Sequence, residues 1–173
     1  MFDTWRARRA ILGHQPPSTV SDPPPEALTR VVEGLRPHLG ELFSVGDPIW
    51  HLRWEGPVQL MALDARERSQ SDVRQRLLRS LHELDLRHLP RQQRRVLAVL
   101  LCRPEPGESV EAWHERLIQG GDDGLQGDWR AVRGRVSVLT VLDDGSHRLF
   151  DQGRLAAAGV AAWEAAARDA TRA

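Results

Sequence analysis

Between Val96 and Cys102 the chain runs through seven apolar residues without a break, with Arg94 and Arg95 before them and Arg103 and Pro104 after them. A membrane-spanning helix needs about 20 such residues, and Pro104 blocks a helical continuation. The run therefore predicts a central, buried β-strand. A second run, Val136–Leu142, has the same character. It is followed by the turn residues Asp143-Asp144-Gly145-Ser146 and a short return from His147 to Phe150, a hairpin signal.

A first hairpin is expected earlier. Trp50, Leu52 and Trp54 alternate with His51 and Arg53, Glu55-Gly56 turns, and Val58–Leu63 returns, with Pro57 marking the strand start or an edge. Helices are read between these strands. Leu28, Val31, Val32, Leu35, Leu39 and Leu42 keep helical spacing from about Pro25, and Pro37 predicts a kink or two short helices. Ser69 with Asp72 opens a capped helix to about Asp85, striped by Val73, Leu77, Leu78, Leu81 and Leu84. Ser109 opens another to about Gln119, with Gly120 as its stop. An Ala-rich helix is expected from Arg154 to Arg168. Gly120–Gly134, with five glycines and three aspartates, reads as a mobile loop.

The predicted order is α-β-β-α-β-α-β-β-α. It implies an α+β fold with a mostly antiparallel sheet of about five strands and helices packed on it. Five prolines between Pro16 and Pro25 mark an extended linker. The expected organisation is an N-terminal arm and linker, residues 1–25, followed by one domain, residues 26–173. The element order, with its closing strand–turn–strand–helix from Arg135 to Arg168, resembles GAF-type or profilin-like sensor domains. The Asn-Lys motif of cyclic-nucleotide-binding GAF domains has no counterpart, because the chain contains neither residue. The resemblance thus implies a sensor-like fold and transfers no ligand.

Composition narrows the chemistry. All 24 basic residues are Arg, and there is no Lys, Asn or Tyr. This pattern fits a GC-rich, bacterial genome. A Walker-type phosphate loop and Schiff-base catalysis both require Lys. One Cys excludes an internal disulfide framework. Formal net charge is zero, so there is no global attraction to nucleic acid or to anionic membranes. No signal-peptide pattern follows Arg6, Arg8 and Arg9. The expectation is a cytoplasmic protein with no membrane contact and no cofactor.

Charge is nevertheless uneven. Arg66–Arg95 holds nine arginines against Glu67, Asp72, Glu83 and Asp85. Arg74, Arg79, Arg87, Arg91, Arg94 and Arg95 are the candidates for gripping nucleic-acid phosphates. Glu111–His114 places a metal-ligand pair one helical turn apart, but the further carboxylates of a bridged metal site are not evident. Asp64, with Glu67 nearby, is a weak echo of a nuclease or hydrolase metal site. Asp64, Cys102, His114 and His147 together would be the parts of an enzyme site. No catalytic or metal residue is assigned. Six tryptophans are many for this length. Trp5 and Trp129, read as lying in flexible segments, are the candidate partner contacts, since exposed Trp is enriched at interface hot spots. The leading expectation is a non-enzymatic interaction or sensor module, self-associating as a homodimer or other homo-oligomer. A nucleic-acid-binding protein and a small metal-dependent hydrolase or nuclease are the alternatives.

Overall fold

The computed structural model describes residues 17–90, 95–120 and 124–151. The fold is α+β, with six strands in one mixed sheet. In chain order the elements are α1 (Glu26–Leu35), β1 (Phe43–Ser44), β2 (Leu52–Glu55), β3 (Gln59–Asp64), α2 (Gln70–Leu86), β4 (Val96–Leu101), α3 (Val110–Gln119), α4 (Gln126–Val132), β5 (Val136–Val141) and β6 (His147–Asp151). The strands lie side by side in sequence order.

Antiparallel pairings join β1 to β2, β2 to β3 and β5 to β6. The centre is different: β3, β4 and β5 run parallel, with Leu60 opposite Leu97 and Ala98 opposite Val138. Parallel neighbours need a long crossover. Helix α2 supplies it between β3 and β4, and α3 with α4 supplies it between β4 and β5. Helices also explain the unbroken apolar runs, because β4 is buried at every position. Val96, Ala98 and Leu100 face the core formed with α2, α3 and α4; Leu97, Val99 and Leu101 face the core formed with α1.

Local signals fold as their chemistry requires. Ser69 caps α2 by accepting from the Asp72 amide at 3.1 Å, and Ser109 caps α3 from the Ala112 amide at 3.2 Å. Pro37 ends α1 in a single 3₁₀ turn, Arg36–His38. At the β2–β3 turn, a Cβ on Gly56 would lie 2.4 Å from the Glu41 carbonyl oxygen, so only glycine lets the two segments approach this closely.

Two features depart from the expected order. Strand β1 is only two residues long and carries no alternation to read. The stretch expected to be a mobile loop contains α4, and Trp129 and Val132 on it, with Leu125 at its N-cap, are fully buried. Their i, i+4, i+7 spacing is the helical signal beneath the glycines and aspartates. The Arg154–Arg168 helix lies outside the described residues. No helix of the described residues is long and apolar enough to cross a membrane.

Candidate functional site

In sheets with a parallel centre, ligands commonly sit beyond the carboxyl ends of the strands. Asp64 ends β3, and Cys102 and Asp143 follow β4 and β5, at that edge. Arg66 closes it. Its guanidinium makes two bonds of 2.9 Å to Asp64 and one of 3.2 Å to Asp143. Burial works to raise the Asp64 pKa, but the Arg66 bonds and charge outweigh it and hold the carboxyl below its ordinary value. His51 Nδ1 accepts from the Asp64 amide at 3.1 Å, and burial pushes this imidazole down in spite of the Asp64 charge. Cys102 is buried, its thiol pushed up to about 12 by desolvation, then by Glu108 and Asp143. A thiol in that state supplies no thiolate near neutral pH.

The Glu111–His114 pair, spaced one helical turn apart, divides. His114 is buried while Glu111 is exposed. Among the described residues, no group of three or more His, Cys, Asp or Glu is arranged to hold a metal ion.

The candidate phosphate-gripping arginines are spread over different environments. Arg74 is buried and donates to the Leu117 carbonyl. Arg79 pairs with Glu83 on α2, and Arg87 pairs with Glu55. Arg95 precedes β4, its carbonyl accepting from the Gln59 amide. Arg91 and Arg94 lie outside the described residues. Two further arginines are internal fasteners that the sequence does not distinguish from surface charge. Arg53 binds Asp47 and Glu55 while nearly sealed from solvent. Arg76 is fully buried. It binds Asp72 at 2.8 Å, the Ile49 carbonyl, and the Ser18 carbonyl at 2.8 Å.

Of the candidate partner contacts, Trp5 lies outside the described residues. Trp129 is corrected to a core residue: it is fully buried on α4 and donates its indole N–H to the Ile118 carbonyl at 2.8 Å. Its position among Leu125 and Val132 removes it from any docking surface. The large apolar side chains exposed among the described residues are Phe43 on the edge strand β1, 62% exposed, and Leu86 at the end of α2.

One cleft combines space with polar groups. It lies between α3 and β6, has a volume of about 370 Å³, and is lined by His114, Ile118, Gln119, Arg133, Arg148 and Phe150, with Glu115 at the same wall. The register explains the grouping. Arg148 is opposite Thr140 and Phe150 opposite Val138, so Arg148 and Phe150 share the face of β6 beneath α3. His114 Nδ1 lies 2.5 Å from the Thr140 hydroxyl, and its ring is 5.7 Å from that of Phe150. The other ring nitrogen, Nε2, is buried with no hydrogen-bond partner among the described residues. Burial, then the Arg148 charge, lower the His114 pKa to about 4, so the imidazole is neutral at pH 7. Arg133 donates to the Ile118 carbonyl at 3.3 Å. Sequence reading singled out His114 but missed Arg133 and Arg148. The two-residue alternation of Arg148 and Phe150 was the available signal.

Comparison with protein-family models, with curated proteins and with solved structures finds no match for this chain. The resemblance to GAF-type and profilin-like domains expected from element order gains no support from these comparisons.

Proposed function

We propose that the chain is a non-enzymatic interaction or sensor module that meets another protein, or a second copy of itself, through its N-terminal arm. The observation that carries this reading is the fixed root of the arm. The Val20 amide donates to the Pro48 carbonyl at 2.8 Å, Val20 packs on the main core, and Arg76 grips the Ser18 carbonyl. A root held at Ser18 and Val20 couples any contact that the preceding residues make to the body of the domain. Exposed Phe43 on an edge strand supports self-association, because an unpaired strand edge is a template for a second chain. The all-Arg composition supports a bacterial source, and a cytoplasmic setting is part of the same proposal.

Deleting residues 1–16 leaves the anchored Ser18 and Val20 in place. The expected result is a lower oligomeric mass by light scattering, or loss of a partner captured by the full chain, with an unchanged circular dichroism spectrum. An unchanged mass and unchanged capture would remove the arm from the mechanism.

A further inference from the structure

We propose that the cleft between α3 and β6 is a binding site for a small organic oxyanion, its carboxylate or phosphate held by Arg133 and Arg148 and its apolar part lying on Ile118 and Phe150. This goes beyond the interaction role, which rests on the arm. The volume of about 370 Å³ falls at the lower end of small-molecule sites, so the ligand is compact.

Cations outnumber anions at the wall. Arg133 and Arg148 bring two guanidinium charges to the wall, opposed by the single carboxylate of Glu115. Guanidinium groups match the geometry of carboxylates and phosphates with paired hydrogen bonds. Arg148 is exposed on an antiparallel strand at the sheet edge, opposite Thr140, and Arg133 is partly buried and steadied by the Ile118 carbonyl. The Gln119 side chain adds a neutral amide donor at the same wall.

His114 supplies the second, independent argument. The residue is 3% exposed, it lines the cleft, and Nε2 has no partner among the described residues. Buried polar atoms in folded proteins are nearly always bonded. When the Thr140 hydroxyl donates to Nδ1, the neutral ring carries its hydrogen on Nε2. That N–H is a donor lacking an acceptor, and a ligand oxyanion provides one. The imidazole in this role is a sensing contact: it reads the presence of an acceptor without changing charge.

Three probes test the site on the full chain: benzoate, phenyl phosphate, and benzamide as the uncharged analogue. Binding is followed by calorimetry and by the ring resonances of His114. The expected result is that at least one of the two anions binds, shifts the His114 resonances, and does so at least about ten-fold more tightly than benzamide. Benzoate and phenyl phosphate compared with each other distinguish a carboxylate from a phosphate ligand. Arg148→Gln should weaken the anions about ten-fold and Arg148→Lys should restore part of the loss, because charge returns without the paired donors. Raising the salt concentration on the unaltered chain should weaken the anions and leave benzamide unchanged, a readout that needs no variant to fold. Benzamide binding as well as the anions, no salt dependence, or no His114 response to any probe would overturn the proposal. Binding that persists after deletion of residues 1–16 separates this site from the arm.

Discussion

His114 has one ring nitrogen beside the Thr140 hydroxyl and the other enclosed without a partner among the described residues, and desolvation makes protonation costly there. The folded pKa of about 4 lies below the unfolded value of 6.5. The unfolded chain therefore binds a proton that the folded chain refuses between these values. This group's contribution is fully present above pH 6.5, declines as the pH falls toward about 4, and amounts to about 3 kcal/mol across the window. The expected result is a urea midpoint that drops between pH 7 and pH 4.5, with a shallower drop in His114→Phe. Parallel pH profiles for the two proteins would show that the imidazole does not carry the effect. Arg76 and Arg53 belong to the same scale. Each is a buried cation whose partners are carboxylates, joined in Arg76 by two carbonyls, the arrangement that burial of a charge requires.

Among the elements, the β2–β3 turn is the least forgiving of added bulk. Besides the Glu41 carbonyl, a Cβ on Gly56 would meet Leu42 Cδ2 at 2.6 Å, and a backbone oxygen cannot swing aside as a side-chain tip can. Gly56→Ala should cost about 1–3 kcal/mol by forcing the segment ahead of β1 away from the turn. Thermal unfolding measures it, and an unchanged midpoint would contradict the close approach. The elements also show where sequence reading runs out. β4 was legible because seven consecutive apolar residues fit only a strand buried on both faces. The caps of α2 and α3 were legible because Ser69 and Ser109 bond to amides three residues away, a local event. Strand β1 was not, since two residues establish no period. Helix α4 was hidden because, across Gly120–Gly134, five Gly and three Asp outnumber the apolar anchors Leu125, Trp129 and Val132. The parallel pairing of β3, β4 and β5 depends on which crossover lies between strands, a non-local choice that antiparallel hairpin signals on either side do not reveal. Likewise, the cleft needs α3 laid over β6, and nothing in the spacing of Arg133, His114 and Arg148 brings them together before the chain folds.

For the molecule as a whole, the one thiol reports on integrity. Cys102 directly follows β4 and belongs to the core formed with α2, α3 and α4, 1% exposed, its amide donating to the Val141 carbonyl at 2.9 Å. Reaction with a disulfide reagent at pH 8 should be negligible in the native protein and complete in denaturant, because the thiol is both protonated and enclosed. Rapid labelling of the native state would mean that the edge holding Asp64, Arg66 and Asp143 opens locally. Arg76 has a different reach. One guanidinium on α2 holds both the strand-entry loop at Ile49 and the incoming chain at Ser18. A displacement of Ser18 therefore passes through that side chain straight into the middle of the longest helix among the described residues.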